Sequence, residues 1–504
     1  MTSSSRLRAR HPLFGAALAA GASLALTASC SSSSNPTAPV ASAEAGADAP
    51  DAGPVEIKLE AACGEAIDAI YADPGALPAD KGAIIKCAID RAWSKDELER
   101  FSRANKYAYT GKPFTSGAKT FRVVYRTERG DPQSSPGYSS ALVFVPDVPA
   151  AGAPAVVVAH GTAGQAPRCT PSKYPFESTD NSFAAMIFPL VGAGMPVIVP
   201  DYAGYAGYGA AGNPPSGYAM SPDVGKSVLD GARALRAMLT GVGDKTILVG
   251  HSQGGHSVLS ALALSESYGV PLAGVVSYAP LWFNQATWGA LFFVANQYPI
   301  ADNAFAVGVG VWYHYSHAEL INGQGKGVEL FAPDKRAAIK EFFDTACGSE
   351  TDKIKPLGTI ATDLYEPAFA SSVKLAAALG SPCGAGDAVC EKWKAIYAAD
   401  RPHLTGAAAQ VPQLVLYGTA DTTIPADRAM CGFDRLRADG AKATICVDSG
   451  QDHSGIVGAR SAYVNDWIAN VAMGAPAPEP CAADETSLMA AGAKVTCATP
   501  PPND

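Results

Sequence analysis

Beyond residue 115 the chain alternates between short apolar runs and longer stretches with helical periodicity. Eight runs read as strands: Thr120–Thr127, Ala141–Val145, Ala155–Ala159, Val197–Pro200, Thr246–Val249, Val275–Tyr278, Leu414–Tyr417 and Thr444–Val447. Several are apolar without interruption, the mark of strands covered on both faces. The clearest helical pattern between them is SPDVGKSVLDGARALRAML, starting at Ser221. Ser221 is placed to cap it, Pro222 suits the first turn, and Val224, Val228, Ala232, Leu235 and Leu239 recur at helical spacing. Strands alternating with helices predict an α/β fold, a mostly parallel sheet with helices on both sides. Residues 56 to about 115 read as helical and precede this series.

One stretch breaks the alternation. From about residue 281 to 408 no strand series is evident, yet Trp282, Trp288, Trp312 and Trp393, four of the six tryptophans, fall there. DKRAAIKEFFDTAC and EKWKAIYAAD read as amphipathic helices. The pattern predicts a helical domain inserted at 281–408 between two parts of one core, 56–280 and 409–472. Phe283, Phe292, Phe293, Phe305 and Tyr313 join the tryptophans Trp282, Trp288 and Trp312 in an aromatic set that could serve as an acyl-binding wall or lid, or fill the insertion's own core.

The N-terminus follows a different pattern. Arg6, Arg8 and Arg10 precede an apolar run from Leu13 to Leu26 and then Thr27-Ala28-Ser29-Cys30. A basic start, a short apolar middle and small residues make an export signal; a membrane span needs roughly 20 apolar residues. Cysteine after small residues is similar to a bacterial lipobox, in which Cys30 would be lipidated and the protein anchored to the cell envelope; Thr27, where leucine is usual, departs from it. Residues 31–55, rich in Ser, Ala, Pro and Gly, read as a flexible tether.

Composition adds compartment and partners. With 504 residues, 17% charged and a formal net charge of −9, the chain is long enough for a large domain with insertions and is a poor match for nucleic acid. Setting Cys30 aside, ten cysteines remain, an even set that fits disulfides in an oxidising compartment. Local pairing predicts 63–87, 383–390, 431–446 and 481–497, leaving 169 with 347 and pinning the tail at 473–504. Zinc-type Cys-x-x-Cys spacing does not occur, and no metal or organic cofactor is expected.

The candidate chemistry lies where Thr246–Val249 runs into Gly250-His251-Ser252-Gln253-Gly254-Gly255 and a helix begins. A serine raised on a sharp strand-to-helix turn is a nucleophile elbow, and its neighbours two residues away must lack bulk. A serine hydroxyl needs a base, and the base needs a carboxylate to hold its tautomer. On this architecture the order along the chain is serine, acid, histidine. The strand ending at Tyr417 leads into Gly418-Thr419-Ala420-Asp421, and of the eight histidines only His453 lies beyond. Ser252, Asp421 and His453 are therefore the expected triad, with Asp427, Asp448 and Asp452 less well placed as acids. Oxyanion donors are expected at the Gln253 N–H and, from the loop His160-Gly161-Thr162-Ala163-Gly164, at Thr162 or Gly161. Asp201 or Tyr202 could line the site or serve structure. His251 and His256 read as core packing, and His314 and His317 as structural rather than metal ligands.

HGTAGQAP, VIVPDYAGYAG, GYAMSPDVGKSVLDGARALRA, GHSQGG, GTADTTIP and DHSG, in this order over residues 57 to 470, resemble the secretory lipase family of fungi and bacteria. The resemblance implies an α/β-hydrolase fold, a helical cap between nucleophile and acid, hydrolysis of carboxylic esters including triacylglycerols, and no organic cofactor. It assigns Ser252 as nucleophile, Asp421 as acid and His453 as base. The expectation is an exported, monomeric esterase or lipase acting on an ester or lipid substrate. The same triad could cleave amides, or the scaffold could serve only binding.

Overall fold

The computed structural model describes residues 56–174, 176–178, 180–207, 213–282, 299–377, 382–481 and 488. The expected export signal and tether, Cys30, Phe283, Trp288, Phe292, Phe293 and Cys497 lie outside these residues. Nine strands form one sheet: β1 (Ile84–Trp93), β2 (Ala118–Glu128), β3 (Pro136–Pro146), β4 (Pro154–Ala159), β5 (Val197–Pro200), β6 (Gly243–His251), β7 (Gly274–Tyr278), β8 (Gln413–Gly418) and β9 (Ala443–Asp448). Their order is β9-β8-β7-β6-β4-β5-β3-β2-β1. From β5 to β9 all neighbours are parallel, while β1, β2, β3 and β5 pair antiparallel. The C-terminal ends of β4, β6, β8 and β9 thus share one edge, where open α/β sheets place their sites.

All eight expected strands are present. PAVVVA in β4 and QLVLYG in β8 are buried at every position, as their unbroken apolar character requires. The helical expectation for residues 56–115 is corrected by β1, a ten-residue edge strand. An edge strand wets one side, and Lys86, Asp90 and Arg91 interrupt its apolar run, so no continuous signal marks it. Helix α1 (Lys95–Ala104) follows, closed by a capping box of Ser94 and Glu97.

Helix α2 (Ser182–Gly192), α3 (Ser221–Met238) and α4 (Gln253–Tyr268) cover the sheet. Ser221 proves to be the first residue of α3, with Met220 at the cap position. The buried Arg129 guanidinium meets Asp223 of α3 at 2.9 and 3.1 Å, and also donates to the Pro214 and Pro215 carbonyls. Asp223 in turn accepts from the Gly217 N–H at 2.9 Å, fixing the loop that enters α3. A buried ion pair of this kind holds only because its remaining lone pairs and protons are met.

Between β7 and β8 lie helices α5 (Ile300–Asn322), α6 (Arg336–Thr345), α7 (Pro367–Ala376), α8 (Ala388–Ala399) and the short α9 (Gly406–Gln410), with no strand among the described residues there. This insertion has a hydrophobic cluster apart from the sheet core, which Tyr218 and Ala219 of the loop before α3 join. Trp312 stacks on Phe342 with centroids 5.5 Å apart, and Tyr315 on Phe343 at 4.0 Å. Trp312 and Tyr313 are fully buried in it, Trp282 packs in the sheet core against Phe433, and Phe305 is exposed. Helices α10 (Ala426–Ala438) and α11 (Gly455–Met473) complete the core.

Disulfides join Cys63–Cys87, Cys169–Cys347 and Cys383–Cys390 as expected. Cys446 pairs with Cys481, which corrects both the 431–446 and the 481–497 pairing. Cys431, on α10, is disulfide-bonded as well. Among the described residues no helix is long and apolar enough to cross a membrane.

Candidate active site

Ser252 stands between the end of β6 and the start of α4, with φ 58° and ψ −119°. A non-glycine residue in this region costs on the order of 1–3 kcal/mol, and the surroundings must impose it. Three backbone hydrogen bonds do so: Ser252 N–H to the Tyr278 carbonyl at 2.9 Å, and the Ser252 carbonyl from Leu281 and His256 N–H at 3.0 and 3.1 Å. The flanking glycines are sterically required. A Cβ on Gly250 would lie 2.2 Å from the Gly254 oxygen, and one on Gly254 would lie 2.1 Å from the Ala159 oxygen. As first residue of α4, Gln253 points its N–H out of the helix end with no intrahelical acceptor.

Asp421 and His453 come from the loops after β8 and β9. These loops are joined: Thr419 N–H donates to the Asp448 carbonyl at 3.0 Å, Ala420 N–H to the Gln451 carbonyl at 3.0 Å, and Gly450 N–H to Thr419 Oγ1 at 2.9 Å. His453 Nδ1 lies 2.7 Å from Asp421 Oδ2. The other carboxylate oxygen accepts the Thr423 and Ile424 N–H groups, each at 2.8 Å. The Asp421 side chain is fully buried and that of His453 is partly exposed. The imidazole thus has one nitrogen committed to a carboxylate and the other available. The alternative acids are occupied elsewhere, Asp448 by Arg460 and Asp452 by the Ser454 and Gly455 N–H groups; the side chain of Asp427 lies outside the described residues.

The loop after β4 faces the elbow. A Cβ on Gly161 would be 3.5 Å from Ser252 Cβ. Thr162 Oγ1 is 2.7 Å from the Tyr218 hydroxyl, whose own backbone N–H donates to Ser316 Oγ of α5 at 2.9 Å. Further along, Gly164 pairs with Cys347 in a β-bridge, Gly348 N–H donates to the Ala163 carbonyl at 2.9 Å, and Cys169 is bonded to Cys347. The loop is therefore fastened to the helical insertion. The sequence carries no signal for the Tyr218 contact, since its partner is 56 residues away.

His251, expected in the core, is buried, and it also reaches His453: its Nε2 lies 2.7 Å from the His453 carbonyl. His256 Nε2 meets the Ala219 carbonyl at 2.9 Å. Asp201 is structural, accepting from Ser140 and Ser172 hydroxyls at 2.5 Å and from the Ser172 N–H at 2.7 Å. Burial, opposed by these bonds, raises its carboxyl to about 6. Tyr202 donates to the His160 carbonyl at 2.9 Å. His314 sits between the Tyr365 and Tyr397 hydroxyls, and His317 Nε2 lies 2.7 Å from Asp400. Among the described residues no three His, Cys, Asp or Glu side chains gather to hold a metal.

Comparison with known proteins adds the following. The profile of the alpha/beta hydrolase family matches residues 156–460. No curated protein matches the chain. Among solved structures, a protein of Legionella pneumophila described as a hydrolase superposes with a TM-score of 0.59 at 16% identity, covering 77% of this chain and 98% of its own. The rice cell wall degrading esterase LipA of Xanthomonas oryzae gives 0.56 at 14% identity, covering 78% and 99%. Candida antarctica lipase A in its closed state gives 0.56 at 17% identity, covering 80% and 84%. These identities speak for the fold. The sheet order, the elbow at its C-terminal edge and a profile match over more than half its length make this chain a member of the alpha/beta hydrolase family.

Proposed function

We propose that the protein is an exported serine ester hydrolase, a carboxylesterase or lipase, working through Ser252, Asp421 and His453 by way of an acyl-enzyme. The observation that carries the reading is the 2.7 Å contact of His453 Nδ1 with Asp421, taken with a serine raised on a positive-φ turn whose preceding residue, His251, meets the His453 carbonyl at 2.7 Å. Asp421 holds the proton on Nδ1 and leaves Nε2 with its lone pair as base. Nε2 takes the Ser252 proton while Oγ bonds to the ester carbonyl carbon and the carbonyl oxygen gains the charge. That charge is met by the N–H of Gln253 and of Thr162 or Gly161. Collapse breaks the bond to the alkoxy oxygen, and His453 returns the proton to the leaving alcohol. Water, deprotonated by the same nitrogen, then releases the acid and restores Ser252.

The lipase and esterase names of two structural neighbours support ester over amide substrates. The attachment of the helical insertion to the Gly161–Gly164 loop supports its role as a cap over the site. The test is turnover of aryl esters of graded acyl length, emulsified triacylglycerol and aminoacyl amides by purified protein and Ser252→Ala. Ester turnover abolished in the variant is expected. Amide-only turnover would make it a peptidase, and no turnover a binding protein.

Export is supported by the disulfides, and anchoring by the lipobox-like Ala28-Ser29-Cys30. Cys30→Ser is expected to move the protein from the membrane pellet to the soluble fraction. Pelleting that ignores the substitution would remove the anchor from the proposal.

A further inference from the structure

The residue before the nucleophile has a bond that core packing does not require. His251 closes β6, and its Nε2 lies 2.7 Å from the His453 carbonyl. A carbonyl oxygen only accepts, so Nε2 carries the proton. The two imidazoles also lie against each other, with centroids 4.6 Å apart at 45°. On its other side His251 meets the oxyanion loop: a Cβ on Gly161 would be 3.8 Å from His251 Nδ1 and 3.4 Å from its carbonyl oxygen.

We propose that His251 is a positioning residue, whose Nε2–H holds the backbone of His453 while its ring spaces the base loop from the Gly161 loop. The Asp421 bond fixes only how the His453 ring is turned. Where that ring stands relative to Ser252 depends on the backbone of residue 453, and His251, joined covalently to Ser252, ties the two together. The tie must stay neutral, because His453 becomes a cation as it takes the serine proton. Burial, and after it the neighbouring His453, hold the His251 imidazole down to about 3, against the pull of its bond to the His453 carbonyl. No second positive charge then opposes the forming imidazolium.

This inference rests on the serine hydrolase reading. Its test compares His251→Phe, which keeps a ring and loses the N–H, with His251→Gln, which offers an N–H near the position of Nε2. Both are measured for kcat and KM on a p-nitrophenyl ester and for Tm, beside Ser252→Ala. The expected result is a kcat lower by about 10²-fold in His251→Phe, with KM changed by no more than about twofold and most of the kcat restored in His251→Gln. An unchanged kcat in His251→Phe overturns the proposal. So does a raised KM with kcat intact, which marks a substrate contact, or equal losses of kcat and Tm in both variants, which mark plain packing. Activity that survives Ser252→Ala overturns the serine mechanism itself. Activity lost there and kept in His251→Phe overturns only the role of His251.

Discussion

Glycines 161, 250 and 254 surround one serine and do different jobs. At Gly250 and Gly254 a methyl would run into backbone oxygens at 2.2 and 2.1 Å, which no side-chain adjustment relieves. At Gly161 the nearest atoms would be 3.4 and 3.5 Å away, ordinary contact distances. Gly254→Ala should therefore lose about 3 kcal/mol or more of stability, as overpacking against fixed atoms does. Gly161→Ala should fold with a Tm close to wild type and lose turnover instead, because its methyl occupies the space in front of Ser252. Thermal melts of both, with an ester assay, check this; a wild-type Tm for Gly254→Ala would contradict it. The strand-to-helix turn at Ser252 and the meeting of Asp421 with His453 are legible in the sequence because chain order and strand ends constrain them; their catalytic roles belong to the proposal. The bond from His251 is not legible, since it spans 202 residues and ends on a carbonyl, which every residue has.

Among elements, what was readable depended on burial. Strands covered on both faces, such as β4 and β8, carry unbroken apolar runs, while β1 at the edge mixes charges into its sequence and reads as helix. Cysteine pairing by proximity in sequence succeeded at 63–87 and 383–390, and failed where the chain after α11 returns to the edge strand and brings Cys481 to Cys446. The Cys169–Cys347 bond has the clearest consequence for chemistry, because the same segments also share a β-bridge and the Gly348–Ala163 hydrogen bond. Replacing both cysteines by serine should loosen the Gly161–Gly164 loop, from which the proposal draws an oxyanion donor, and lower kcat by roughly tenfold, within the range for misplaced catalytic groups, while circular dichroism stays native. The paired serine variant at 383 and 390, confined to the insertion, should retain kcat. Equal activity of the two variants would separate the disulfide from the chemistry of the Gly161–Gly164 loop.

For the whole molecule, buried titratable groups set the response to acid. Burial first holds His160 and His256 down to about 4 and His251 to about 3, from 6.5. Depressed values mean the folded state binds fewer protons, so their stabilisation is full above about pH 6.5 and is lost as the pH falls toward 4, by on the order of a few kcal/mol each. Asp201 runs the other way: burial raises it from 3.8 to about 6, and its contribution fades as pH rises through that value. Burial likewise drives His314 well down and Asp230 up; four buried histidines outweigh two buried carboxyls, so Tm should fall steadily from about pH 7 to about pH 4, and His160→Gln should flatten the slope. A Tm that rises on acidification would contradict the balance.

The helical insertion leaves the sheet after β7 and returns at β8, two strands that are immediate parallel neighbours with Tyr278 opposite Leu416. Neither strand needs the insertion to find its register. Other helices exchanged between Tyr278 and Gln413 would have to bring a cysteine and a short extended segment back to Cys169 and Gly164, and acceptors for the Tyr218 and Ser221 N–H groups that Ser316 and Asp400 now hold. Whatever reshapes substrate choice in such chimeras must therefore keep these stitches in place.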